Sequence, residues 1–136
     1  MRSFILATAL ILAGAPALAE TLAPPVPEDV SIHITGATGQ TIEVRQGENF
    51  AIELQSSPST GSSWAMTAKP DFVDEGGQAT GPVNPPNPNG RPVLGAPRWQ
   101  VFMLTANAQG SGDVTLELRG PGGVSRATFT VTINAQ

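Results

Sequence analysis

The chain has 136 residues, no cysteine, one histidine and a formal net charge of −4 at pH 7. Without cysteine there is no disulfide staple, no thiolate nucleophile and no common zinc site, so hydrophobic packing must hold the fold unaided. The acidic balance argues against nucleic acid and anionic membrane surfaces as partners, because both select clustered Lys and Arg.

Residues 1–19 begin with a basic Arg2, continue in an apolar run from Phe4 to Gly14 and end on Ala17-Leu18-Ala19. That is the pattern of a secretory signal peptide cut after Ala19. The apolar run is too short to cross a bilayer as a helix. No membrane insertion is therefore expected after cleavage, and the mature protein is expected in the periplasm or secreted. Residues 20–29 form a proline-rich lead, flexible or extended. Residues 30–136 have the size of one domain with one core.

From Val30 onward the pattern has period two, the mark of half-buried strands. Val30, Ile32 and Ile34 alternate with Ser31, His33 and Thr35. Ile42 and Val44 share one face, as do Phe50, Ile52 and Leu54, and then Trp64, Met66 and Ala68. Trp99, Val101 and Met103 interleave with Gln100, Phe102 and Leu104, giving a strand apolar on both sides. Val114, Leu116 and Leu118 follow, and finally Ala127, Phe129, Val131 and Ile133. Glycine-rich turns separate the runs. About seven to eight short strands at this spacing predict an all-β, immunoglobulin-like antiparallel β-sandwich.

The rhythm breaks from Thr80 to Arg98, which holds Pro82, Pro85, Pro86, Pro88, Pro92 and Pro97. Proline lacks a ladder N–H and fixes φ, so this stretch is excluded as a central strand. A loop this long is functional or disordered, with Val83 to Gly90 its most mobile part.

Catalytic chemistry is thin. His33 sits mid-strand and no serine has a nucleophile-elbow setting around it. Asp71, Asp74 and Glu75 cluster without the spacing of a calcium loop and read as a solvated acidic turn. No catalytic residue, metal site or cofactor is expected, and the chain does not read as an enzyme. Function then lies in loops. Three stand out, Ser56 to Ser63, Val93 to Arg98 and Arg119 to Gly123, and on a sandwich they are expected to converge at one end.

SPSTGSSW resembles the N-P-T-T-G-aromatic-x-W loop of chagasin-family inhibitors of papain-like cysteine peptidases, with Pro58, Thr60, Gly61 and Trp64 matching position by position. VLGAPRWQVF resembles the family's second signature through Gly95 and Phe102. LELRGP resembles the third, in which an arginine and a proline close a strand before a tryptophan. Order and spacing agree over nearly the whole mature chain. There are departures. Ser57 replaces an asparagine, Ser62 an aromatic residue, and Pro97-Arg98 a pair of glycines, while the third loop has no tryptophan.

The resemblance implies three loops wedged into a peptidase's active-site cleft, with Thr60 and Gly61 nearest the catalytic thiolate and Trp64 anchoring the loop's foot. The peptidase-binding residues it implies are Ser57, Pro58, Ser59, Thr60, Gly61, Ser62 and Trp64 in the first loop. Leu94, Gly95, Ala96, Pro97 and Arg98 follow in the second, and Arg119, Gly120 and Pro121 in the third. The implied partner is a papain-like cysteine peptidase, met by a monomer and blocked reversibly by occlusion. The alternative is a periplasmic immunoglobulin-like adhesion or assembly module that binds a non-peptidase protein or glycan. The thinned second and third loops motivate it.

Overall fold

A computed structural model describes residues 21–85 and 95–136. Eight strands run through the described residues: β1 (Ile32–Ile34), β2 (Gln40–Val44), β3 (Asn49–Ser56), β4 (Ser63–Ala68), β5 (Val73–Pro82), β6 (Arg98–Ala106), β7 (Gly110–Arg119) and β8 (Ser125–Ala135). They make two four-stranded sheets, β1-β3-β6-β5 and β2-β8-β7-β4. Pairing is antiparallel except at the two N-terminal edge strands. β1 lies parallel to β3 and β2 parallel to β8, because the chain runs first along one sheet and then crosses to the other. The sandwich is thus all-β as expected, with two parallel edges.

Alternation explains the core. Phe50, Ile52, Phe102 and Leu104 from one sheet meet Leu116, Val131 and Ile133 from the other, all essentially inaccessible to solvent. The one strand apolar on both sides is β6. Its Val101 packs on the opposite face of the sheet with Val30 and Ala51, among the partly buried Val26, Ala79, Trp99 and Met103.

What covers that outer face is the proline-rich lead, which runs along it in extended form. The Leu22 N–H donates to the Val83 carbonyl at 2.7 Å, and the Trp99 Nε1–H donates to the Leu22 carbonyl at 2.8 Å. Pro25 lies close over Gly81, where an added Cβ would stand 3.3 Å from the proline Cγ.

Two expectations need correction. Alternation gives no hint of β5, and its acidic residues are not all in a turn. Asp71 is in the turn before β5, but Asp74 and Glu75 are exposed residues within the strand. β5 is an edge strand whose register shifts between Glu75 and Gly77. That irregularity interrupts the period-two pattern, and small or polar residues fill its exposed positions. Pro82 ends the strand, where a missing N–H does little harm. The segment expected to be most mobile, Val83 to Gly90, is anchored at its start, since Val83 is buried and accepts the Leu22 bond. Residues 86–90 of it lie outside the described residues, as do residues 1–19 of the expected signal peptide.

Candidate functional site

The three loops joining β3 to β4, β5 to β6 and β7 to β8 leave from one end of the sandwich, as the antiparallel order requires. In the first loop, Ser57 precedes a single 3₁₀ turn over Pro58–Thr60, with Pro58 in its first turn. Proline there presets φ and removes an N–H that has no partner in the turn. The Thr60 N–H, the Thr60 Oγ1–H and the Ser62 N–H all donate to the Ser57 carbonyl, at 3.0, 2.8 and 3.2 Å. One carbonyl therefore gathers the whole tip.

Gly61 closes the turn at φ 87°, donating its N–H to the Pro58 carbonyl at 2.9 Å. This is left-handed backbone that a side chain resists. The site is crowded as well, since a Cβ on Gly61 would lie 3.2 Å from Pro121 Cγ of the third loop. The first loop also meets the second. The Gly95 N–H donates to Ser59 Oγ at 2.7 Å, and the Ser57 Oγ–H donates to the Gly95 carbonyl at 3.3 Å. The first loop thus meets both of the others, with the Ser59–Gly61 segment at the meeting point. Pro58, Ser59, Thr60 and Gly61 are exposed.

The foot of the loop is fixed by Trp64. Its ring packs on the core, and its Nε1–H donates to the Gln55 carbonyl at 2.8 Å. Gln100, buried on β6 of the opposite sheet, binds the Trp64 backbone twice. It accepts from the Trp64 N–H at 2.8 Å and donates to the Trp64 carbonyl at 2.8 Å.

Between the first two loops lies an open depression of about 270 Å³, lined by Gln55, Ser56, Ser57, Thr60, Ser62, Pro97 and Leu118. Ser62 is only 8% exposed and lines this depression, so among the first-loop residues implied to bind the peptidase it offers a partner the least surface. In the second loop, Gly95, Ala96 and Pro97 are half-buried and Arg98 is exposed at the start of β6, while Leu94 lies outside the described residues.

The third loop forms a short turn over Pro121–Gly123. Arg119 and Pro121 are exposed, and Gly120 is buried because the Arg126 guanidinium lies across it, leaving no room for a Cβ.

Sequence reasoning missed three residues here. Val124, 63% exposed, is the one large hydrophobic side chain on the surface among the described residues. It stands in the third loop, and its signal is an isolated apolar residue in a glycine-rich turn. Gln100 was legible as a polar residue at an inward-facing position of an apolar strand. Arg126 carried no local signal, because its role comes from packing on Gly120.

A sequence profile of the family described as Chagasin family peptidase inhibitor I42 matches residues 43–133. The chain belongs to the chagasin family. Among solved structures, the cysteine protease inhibitor EhICP2 from Entamoeba histolytica is similar with a TM-score of 0.65 and 19% identity, over 82% of this chain and 100% of that one. The solution structure of Amebosin is similar with a TM-score of 0.61 and 25% identity, over 77% of this chain and 97% of that one. No curated sequence matches. The profile spans the first and third loops in full and the anchors Trp64 and Gln100, so the chagasin match and the loop geometry concern the same part of the chain.

Proposed function

We infer that this protein is a reversible inhibitor of papain-like cysteine peptidases and not an enzyme. Membership in the chagasin family carries the reading, and a first loop braced by the other two at one end of the sandwich supports its mechanism. The Ser59–Gly61 tip enters the active-site cleft, and its small side chains let the backbone come close to the catalytic thiolate. The second and third loops flank it. Binding occludes the cleft without covalent chemistry. The Ser57 carbonyl, Pro58 and Trp64 hold the tip in shape before binding, which reduces the ordering entropy lost on association. The protein acts as a monomer after removal of residues 1–19, in the periplasm or outside the cell.

Titration of the mature protein against papain and a cathepsin L-like peptidase tests this. Tight, reversible inhibition is expected. A Thr60→Arg, Gly61→Glu pair should abolish inhibition in a variant that still melts cooperatively, its Tm lowered by on the order of 10 °C by the strain at Gly61. Absence of inhibition at micromolar concentration by the unaltered protein would refute the reading for this class of target.

A further inference from the structure

Charge is not spread evenly over the sandwich. Five basic residues lie among the described residues, and three of them, Arg98, Arg119 and Arg126, stand exposed at the loop end. Arg98 begins β6, Arg119 ends β7, and Arg126 is the second residue of β8. The register ties Arg98 to Ser56 and Arg119 to Ser63, the two strand ends that carry the first loop. Arg126 lies over Gly120. Among the described residues one carboxylate shares this end. Glu117 approaches Arg119 at 3.6 Å, a long and partly exposed contact that neutralises little. Neither Arg98 nor Arg126 has a carboxylate partner among the described residues.

Most of the described acidic residues gather elsewhere, apart from Glu53, which is buried mid-strand against His33. Glu43 and Glu48 flank the β2–β3 turn, Asp71, Asp74 and Glu75 surround the start of β5, and Asp113 is near the start of β7. All are at or toward the opposite end. Asp29 joins them there, bonded to Asn49 at the start of β3. In a chain of net charge −4, the described residues therefore present their basic face where the loops meet. The net charge disfavours a polyanion as the partner, whereas a local basic face suits a protein surface with a limited acidic patch.

We propose that the loop end recognises peptidases whose cleft is rimmed by Asp and Glu, with Arg98, Arg119 and Arg126 steering the wedge onto that rim. The proposal rests on the inhibitor reading above. Steering of this kind acts mainly on the association rate and is screened by salt.

The test is stopped-flow association of the full mature chain with two papain-like peptidases, one with an acidic cleft rim and one with a basic rim. With the acid-rimmed enzyme, the association rate should fall on the order of ten-fold between low salt and about 0.5 M salt. Association with the base-rimmed enzyme should be slower at low salt. A triple Arg→Gln variant at 98, 119 and 126 should lose the salt dependence, with the dissociation rate changed much less. The triple Arg→Lys variant, which keeps charge and alters shape, should retain the salt dependence. Tight inhibition with an association rate indifferent to salt and to rim charge overturns the steering proposal and leaves the inhibitor reading intact. Failure of the unaltered protein to inhibit either enzyme overturns both.

Discussion

The side-chain amide of Gln100 binds the backbone of Trp64 as a neighbouring strand would, accepting from its N–H and donating to its carbonyl, each at 2.8 Å. β4 is an edge strand, and edge strands leave such groups unpaired. One amide thus closes the sandwich at the loop end and ties the foot of the first loop to the strand that follows the second. Gln100→Leu leaves two backbone groups unsatisfied, at a cost of about 2 kcal/mol. A fall in Tm of roughly 10 °C and a faster dissociation from the peptidase are expected. Gln100→Glu keeps the acceptor but sets a carboxylate against the Trp64 carbonyl, so it should not rescue stability. Thermal melts and dissociation rates of both variants check this.

Gly61 is constrained twice, by a φ of 87° and by Pro121. Gly61→Ala should cost about 1–2 kcal/mol from backbone conformation alone, and the crowding against Pro121 must be relieved by moving the third loop. Inhibition should weaken by a larger factor than stability implies, because both loops shift. A Pro121→Ala change made in the Gly61→Ala background should recover part of the lost affinity. Inhibition constants for the single and double variants decide the point.

Trp99 holds the N-terminal lead and stands on the outer face of its sheet, away from the inter-sheet core. Trp99→Phe removes the bond to the Leu22 carbonyl and should destabilise by about 1 kcal/mol, with the inhibition constant unchanged. A large loss of inhibition in a variant that still melts cooperatively would instead make Trp99 part of the contact surface.

These cases show what a sequence can and cannot carry. Strands with one buried face announced themselves, because Phe50, Ile52 and Leu54 or Val114, Leu116 and Leu118 must alternate to bury anything. The double-sided pattern of β6 was equally visible, but not that residues 21–30 cover its second face, since the contact joins distant segments through a carbonyl and prolines. β5 was hidden because its residues between Val73 and Gly81 bury little and its register slips beside Gly77. In the site, Pro58, Thr60, Gly61 and Trp64 were legible from local turn chemistry and motif order. The contacts that brace them, Gly61 against Pro121 and Ser59 against Gly95, come from topology. No residue of the second or third loop states them alone.

Acid sensitivity should have a defined source far from the loops. At the β2–β3 turn, Glu48 accepts the Arg45 N–H at 2.9 Å and the Ser31 Oγ–H at 2.9 Å. Above all the Arg45 backbone bond, then the Ser31 hydroxyl and the Arg45 charge, lower its pKa below the ordinary 4.5. The folded state therefore holds fewer protons on Glu48 in mild acid than the unfolded state does. Its stabilising contribution is present above the ordinary value and is lost as pH falls through the lowered one. Glu48→Gln should flatten the decline of Tm in this acid range and leave inhibition at neutral pH unchanged. Melting curves taken at a series of pH values compare the two proteins directly.

Occlusion of the catalytic thiol by the first loop is tested most directly by alkylation protection. Papain is saturated with the unaltered protein and the rate of thiol carbamidomethylation by iodoacetamide is followed. Protection at one-to-one stoichiometry is expected, with the residual rate set by dissociation of the complex, and the Thr60→Arg, Gly61→Glu pair should give none. A complex that forms at these concentrations while its thiol reacts at the rate of free papain would contradict the wedge.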